Sequence, residues 1–147
     1  MKKYEEVTIT LYFANASGDQ LIKVNRTMRY NTNISLEKLV VEQLVYGPLA
    51  NKGKEDIPVF STLNPGTKII NVSIKDGICY VNFDSTFLNE SYNQKPEITI
   101  YSIVNSIVTN GNVTKVQILV DGSSDVKFMG TFDLSEPLEW KADLVED

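Results

Sequence analysis

The chain contains no histidine and only one cysteine, and these two shortages exclude whole classes of chemistry. Without histidine there is no Ser-His-Asp triad, no Cys-His pair and no metal site built on imidazole. One cysteine excludes an internal disulfide and a cysteine cluster for zinc or iron–sulfur. Lys52-Gly53-Lys54 lacks the further glycines of a phosphate-binding loop. We therefore expect no enzyme activity, no cofactor and no catalytic or metal site.

Basic stripes and long apolar runs are missing as well. The 147 residues carry 14 basic and 19 acidic side chains, a net charge of -5, and the lysines are scattered, which argues against a nucleic-acid surface. No run is long enough to predict a transmembrane helix. Met1-Lys2-Lys3 is followed by Tyr4-Glu5-Glu6, where a signal peptide would have an apolar core. The chain is expected to be either cytoplasmic or a trimmed piece of an exported protein, and composition does not separate the two.

The clearest structural signal in the sequence is a β-hairpin that turns on Asp76-Gly77. This dipeptide tolerates the positive φ angles of a type I′ turn. The resulting register predicts three apolar pairs on one buried face, namely Ile74–Cys79, Val72–Val81 and Ile70–Phe83. The opposite face is polar. Cys79 is therefore predicted to be a small core residue, with a nucleophilic role as the alternative.

Further strands and helices are predicted on both sides of this hairpin. Alternating apolar residues predict strands over 7–13, 21–30 and 113–120, with a short extra strand over 126–132. Ser35 is a suitable cap for a helix that ends at Tyr46. The segment 97–108 is rich in β-branched residues, which favours a strand. Its apolar residues recur with helical spacing, however, and we predict a helix there.

The predicted order is β-β-α-β-β-α-β with a possible extra C-terminal strand. This order indicates an α+β fold, in which a mixed, mainly antiparallel sheet carries two amphipathic helices packed on one face. A single domain is expected to span 7–138. Residues 1–6 are expected to be a remnant of a linker or of an artificial extension, and 139–147 an acidic, partly extended and mobile tail.

Two small groups of residues are candidates for function. Asp84 and Glu90 lie in one predicted loop, where a carboxylate pair could hydrolyse a glycosidic bond, although small domains carry many solvated acids. Tyr92 and Trp140 lie in segments that we expect to be exposed, where aromatic side chains can stack on sugars or anchor a partner. Either aromatic residue could equally pack onto the core.

Several short stretches follow one another along the chain in the order found in a known family. They are Leu11-Tyr12-Phe13-Ala14-Asn15, Arg26, Gln43-Leu44-Val45-Tyr46-Gly47-Pro48, Leu63-Asn64-Pro65-Gly66-Thr67-Lys68-Ile69-Ile70, Val81-Asn82-Phe83-Asp84, Val116-Gln117-Ile118-Leu119-Val120-Asp121-Gly122 and Met129-Gly130-Thr131-Phe132-Asp133-Leu134-Ser135-Glu136-Pro137-Leu138. Together they resemble the GerMN domain, the sporulation and spore germination domain of bacterial lipoproteins.

The resemblance implies a non-enzymatic, extracytoplasmic module for protein–protein assembly at the bacterial envelope. Implied partners are envelope or sporulation proteins, with self-association and peptidoglycan as further candidates, and no nucleic acid. Family members typically carry a lipid-bearing cysteine near their start, and some have two copies of the domain. This chain has one copy and no such cysteine, so we expect a trimmed soluble piece of a membrane-anchored lipoprotein.

Two other readings of function remain open at this stage. The first alternative is a peptidoglycan-binding or glycan-binding domain that would use Tyr92, Trp140 and the outward-facing Tyr80. The second is a hydrolase that uses Asp84 and Glu90, and it ranks last.

Overall fold

The computed structural model describes residues 3–49, 57–89 and 93–146. Its strands and helices are β1 (Tyr4–Ala14), β2 (Leu21–Asn31), α1 (Leu36–Tyr46), β3 (Ile69–Lys75), β4 (Ile78–Phe83), α2 (Pro96–Asn110), β5 (Lys115–Val120), β6 (Lys127–Phe128), β7 (Phe132–Asp133) and β8 (Leu138–Glu139). Short 3-10 helices follow β4 (Ser85–Leu88) and β8 (Ala142–Leu144). The predicted α+β fold and its element order are confirmed.

The strands form one mixed sheet and two separate hairpins. The sheet has the order β3-β4-β5-β8, in which β4 and β5 are parallel and the other neighbours are antiparallel. Parallel neighbours need a crossover connection, which α2 supplies between β4 and β5. Strands β1 and β2 pair with each other along their full length, and β6 pairs with β7.

The helix α2 lies at the centre of the fold, in contact with β1, α1 and β5. Its buried apolar side chains are Ile98, Ile100, Ile103, Val104 and Ile107. The covered face of the sheet consists of Cys79, Val81 and Phe83 from β4 and Val116, Ile118 and Val120 from β5. This face, both helices and the inner face of the β1–β2 hairpin share one hydrophobic core.

Both helices begin and end where their capping residues predict. Ser35 precedes α1, and its side-chain oxygen accepts a hydrogen bond from the Lys38 N–H at 3.1 Å. Gly47 follows α1 at a φ of 95°, a left-handed value that favours glycine. Pro96 occupies the first turn of α2, where its missing N–H costs no hydrogen bond. The choice of a helix over a strand for 97–108 is therefore confirmed.

The β3–β4 hairpin has the predicted register near its turn but not at its open end. Ile74 lies opposite Cys79, as predicted from the turn. A bulge at Ile70 then shifts the pairing, so that Ile69 lies opposite Phe83. The predicted Ile70–Phe83 pair is therefore wrong, because a bulge inserts an extra residue that side-chain alternation does not reveal.

The prediction that the rest of the chain covers the apolar face of β3 together with that of β4 is also wrong. Ile70 is 51% exposed and Ile74 is 47% exposed, whereas Cys79 on β4 is fully buried. The cause is position, because β3 is the outermost strand of the sheet and β4 is an inner strand. Alternation predicts which residues share a face, but it does not say which strand lies at the edge.

The C-terminal segment is held along the fold, where the sequence predicted a mobile tail. Strand β8 pairs with β5. Beyond it, Asn105 on α2 exchanges two hydrogen bonds of 3.0 Å with the backbone of Lys141. The Glu146 N–H then donates to the Leu21 carbonyl oxygen at 2.8 Å. Residues 138–146 therefore run from the sheet across α2 to the β1–β2 hairpin.

The short extra strand predicted over 126–132 is two strands. β6 and β7 are two residues each and pair antiparallel. Met129 and Gly130 lie between them with φ angles of 52° and 73°, which reverses the chain. A strand of two residues is too short to show a periodic pattern, so it gives no signal in the sequence.

Candidate functional site

Cys79 is a core residue, as predicted, and the structure gives it no route to nucleophilic chemistry. It lies on β4 between Ile74 and Val116 on the neighbouring strands, and it is fully buried. Burial, together with the nearby carboxylate of Glu37, raises the pKa of the Cys79 thiol to about 12. The thiol is therefore protonated at neutral pH and is not the reactive thiolate form.

Asp84, one of the two candidate carboxylates, ties the loop after β4 to the residue that precedes β3. Its side chain accepts hydrogen bonds from the Lys68 N–H at 3.0 Å and from the Thr86 hydroxyl at 3.1 Å. These bonds, the Lys68 N–H first, hold the pKa of Asp84 below its ordinary value. Glu90 lies outside the described residues. A carboxylate held as an acceptor in this way is suited to fixing the loop rather than to delivering a proton.

Of the two predicted contact aromatics, only Trp140 lies within the described residues. Trp140 directly follows β8 and is 39% exposed. Its ring packs edge-on against the buried Tyr12 ring, with centroids 5.4 Å apart. Tyr92 lies outside the described residues. Tyr80 on β4 is half-buried. Trp140 thus anchors the C-terminal segment while leaving part of its ring open to solvent.

Arg26 has a role that its position in the sequence conceals. In the sequence it interrupts the apolar alternation of β2, but in the structure it points inward and is only 6% exposed. Its guanidinium donates to the Gln43 side-chain oxygen and to the Gly47 carbonyl oxygen, both at 2.9 Å, and lies over the Phe13 ring. Burial lowers its pKa. Arg26 therefore ties β2 to the end of α1.

A row of polar side chains on α2 occupies the outer edge of β1. Ser106 accepts a hydrogen bond from the Tyr12 N–H at 3.0 Å, and Asn110 accepts one from the Thr10 N–H at 2.8 Å. Ser102 donates to the Tyr12 carbonyl oxygen, and Asn110 donates to that of Thr10. Spacing of four residues puts the three side chains on one side of the helix. They satisfy backbone groups that a neighbouring strand would otherwise pair.

The outer edges of β2 and β3 run along the surface, and no other strand of the described residues pairs along most of their length. The two edges differ in chemistry. On β2 the exposed side chains are polar or charged, namely Lys23, Asn25, Thr27 and Arg29. On β3 the exposed side chains include Ile70 and Ile74. Exposed apolar side chains on an edge strand are typical of a surface that pairs with another chain.

The structure offers little to a small ligand or a metal ion. A surface pocket beside Gly18 and Gln94 holds about 160 Å³, below the 300–1,000 Å³ typical of ligand sites. A second depression of about 320 Å³, lined by Tyr4 and Arg29, reaches the lower end of that range but lies largely open to solvent. Within residues 3–49, 57–89 and 93–146, no three histidine, cysteine or carboxylate side chains are grouped to hold a metal ion. In the same ranges no helix has the length and apolar character needed to span a membrane.

Comparison with known proteins identifies relatives in both sequence and structure. The family model "Germane: Sporulation and spore germination" matches residues 10–126. No curated protein matches the chain in sequence. The tandem GerMN domains of the sporulation protein GerM from Bacillus subtilis superpose with a TM-score of 0.72 at 19% identity, over 96% of this chain and 48% of that one. The chain thus spans about half of that structure.

Two further solved structures show the same fold. The first GerMN domain of the Bacillus subtilis protein GerM has a TM-score of 0.62 at 22% identity, covering 90% of this chain and 97% of that one. A Clostridium perfringens protein, provisionally described as a lipoprotein, has a TM-score of 0.61 at 23% identity, covering 91% and 87%.

Proposed function

The chain belongs to the sporulation and spore germination family, and from this premise we propose that it is a non-enzymatic module for protein–protein assembly at the bacterial cell envelope. The observation that carries the proposal is the family match, which spans residues 10–126. We place the module outside the cytoplasm, on a full-length parent that a lipid anchors to the membrane. The likeness to a Clostridium perfringens protein provisionally described as a lipoprotein supports that location.

The polar residues of the described chain support a structural rather than a catalytic reading. Cys79 is protonated and buried, and Asp84 holds a loop. Arg26 joins β2 to α1, and Ser106 covers the edge of β1. Each of these groups is already engaged in holding the fold. The function that these contacts leave possible is binding at the protein surface. A strand edge with exposed apolar side chains is a surface suited to another protein.

The test of this function uses the full-length parent protein in sporulating cells. A photo-crosslinking side chain is placed at one exposed position per variant, Tyr46 on α1, Thr27 on β2 or Ile74 on β3. We expect at least one variant to form a discrete crosslinked product, either with an envelope protein or with a second copy. Protease added outside intact protoplasts is expected to degrade the module. If no variant crosslinks to any protein, or the module resists external protease, the proposal is wrong.

The same preparation separates assembly from glycan binding. We expect the purified chain to pass unretained through insoluble peptidoglycan. Retention that Trp140→Ala removes and Tyr46→Ala does not would make the chain a glycan-binding domain instead. Tyr46 is the matched control because it is another exposed aromatic residue, placed at the end of α1.

A further inference from the structure

The polar row of α2 ends at Asn110, and the next residue is Gly111. This is the one Asn-Gly dipeptide in the sequence. An asparagine before glycine is prone to lose its side-chain amide, because glycine has no side chain that hinders its own backbone nitrogen from approaching the neighbouring amide carbon. A chemically labile pair therefore lies at the point where α2 meets β1.

Both residues of this dipeptide are fixed by contacts of the fold. The Asn110 side chain accepts a hydrogen bond from the Thr10 N–H at 2.8 Å, and it donates to the carbonyl oxygens of Thr10 and Ser106, to the latter at 2.7 Å. Gly111 has a φ of -97°, which any residue can adopt. A Cβ atom there would collide with the buried carboxylate of Glu37. Replacing either residue therefore removes or strains a contact.

The same contacts keep the two reacting groups apart in the folded chain. Loss of the amide requires the Gly111 nitrogen, without its proton, to reach the Cγ atom of Asn110. In the fold this N–H donates to the Ile107 carbonyl oxygen at 2.8 Å. The Asn110 amide is turned toward β1 by its three hydrogen bonds. Both groups are released together when the end of α2 separates from β1, which is a local opening.

We propose that Asn110 is a site of spontaneous covalent modification, which is closed while α2 lies on β1 and is exposed when the two separate. In the open form the Gly111 nitrogen bonds to Cγ of Asn110, the Cγ–Nδ2 bond breaks, and ammonia leaves with the proton of the Gly111 N–H. Water then opens the resulting succinimide ring at either carbonyl, which gives aspartate or isoaspartate. Water is the one co-reactant, and the inference does not depend on the proposed assembly function.

Either product prevents the contact between α2 and β1 from closing as before. Both products carry a carboxylate, which has acceptors only, where the amide donated to the carbonyl oxygens of Thr10 and Ser106. Isoaspartate also adds a methylene group to the main chain at the end of α2. A part-buried carbonyl oxygen without its donor destabilises the closed form. A chain that has been modified once therefore opens more often, and the modification records earlier opening.

The first experiment follows conversion of Asn110 in the purified chain at mildly alkaline pH, by peptide mapping with mass spectrometry. In guanidinium chloride we expect Asn110 to convert faster than any other asparagine. In the folded chain we expect its conversion to be at least about hundredfold slower, because it requires opening. Gly111→Ala in guanidinium chloride should slow conversion, since the added methyl group hinders the attack. Faster conversion of another asparagine, or equal rates with and without denaturant, overturns the proposal.

A second experiment tests whether the contact with β1 is what protects Asn110. Ser106→Ala removes the acceptor for the Tyr12 N–H one turn earlier on α2 and leaves the dipeptide unchanged. We expect Asn110 to convert at least about fivefold faster in the folded variant than in the folded wild type, and equally fast in denaturant. Thr109→Ala, at an exposed position of the same helix, is the matched control and should change neither rate. A folded Ser106→Ala that converts at the wild-type rate contradicts the protection by β1.

A third experiment measures the lasting effect of the modification. Asn110→Asp reproduces one product, and we expect it to lower the ratio of folded to unfolded chain at least about tenfold, as determined by urea denaturation. Asn71→Asp makes the same change at an exposed position of β3 and should leave the ratio unchanged. Equal stability of the two variants would show that the modification does not weaken the fold. The crosslinking test of the assembly function is independent of all three results.

Discussion

Replacing Arg26 should lower the free energy of unfolding substantially. Its guanidinium donates to the buried Gly47 carbonyl oxygen and to the partly buried Gln43 side chain. Arg26→Ala leaves the buried Gly47 carbonyl oxygen without a donor, at about 1–3 kcal/mol, and also removes the bond to Gln43 and the contact with the Phe13 ring. We expect the free energy of unfolding to fall by about 2–4 kcal/mol, as measured by urea denaturation. Arg29→Ala, on the exposed face of the same strand, should change it by less than about 0.5 kcal/mol.

Asp84 should make stability depend on pH in the acidic range. Its folded pKa is lowered by the hydrogen bonds from Lys68 and Thr86, so the carboxylate stabilises the fold above its unfolded pKa of about 3.9. That contribution is lost as pH falls through the lower folded value. Thermal melts of the wild type and Asp84→Asn should therefore differ at pH 7 and converge as pH falls below about 4. A difference that stays constant with pH would contradict this account.

Single residues were predictable from the sequence where a local rule decides their position. The core position of Cys79 follows from the turn at Asp76-Gly77, which sets the register. Arg26 was not predictable, because its inward position depends on acceptors from α1 that are distant in sequence. Ser102, Ser106 and Asn110 did leave a signal, since polar residues four apart on an otherwise apolar helix mark a stripe that needs partners.

At the scale of the element, Asn105 should control whether the C-terminal segment stays docked. It supplies both side-chain bonds that hold the backbone of Lys141. Asn105→Ala removes them, and we expect hydrogen exchange over 138–146 to become faster while the amides of β4 stay protected. Thr109→Ala, at an exposed position of the same helix, is the matched control and should leave exchange unchanged. Unaltered protection of 138–146 in Asn105→Ala would show that the pairing of β8 and the packing of Trp140 hold the C-terminal segment without Asn105.

Elements were predictable when their own residues carry the pattern. The spacing of apolar residues and the capping residues predict both helices, and the turn residues predict the β3–β4 hairpin. The bulge at Ile70, the two-residue strands and the docking of 138–146 depend on neighbours distant in the sequence. Edge position belongs to the same group, because the exposure of Ile74 follows from the place of β3 at the edge of the sheet that the described residues form. The exposure of Ile74 could therefore not be predicted before the topology was known.

At the scale of the whole molecule, the β1–β2 hairpin and the four-stranded sheet should unfold together. Within the described residues they share no strand pairing, but α2 packs on both. The chain has a natural reporter in each part, since its one tryptophan contacts Tyr12 on β1 and its one cysteine lies in β4. Trp140 fluorescence and the reactivity of the Cys79 thiol should change at the same urea concentration, as two-state unfolding requires. Separate midpoints would mean that the two parts are independent units.

The polar row of α2 has a consequence for the helix in isolation. More than half of the 15 residues of this helix are β-branched, and isolated helices of such composition are not stable in water. Its stability therefore comes from apolar packing and from bonds to Thr10 and Tyr12, and α2 depends on β1 for it. A peptide of residues 96–110 should show little helicity by circular dichroism, and strong helicity would refute this dependence on β1. The central helix of the fold is thus a helix that only its tertiary contacts make stable.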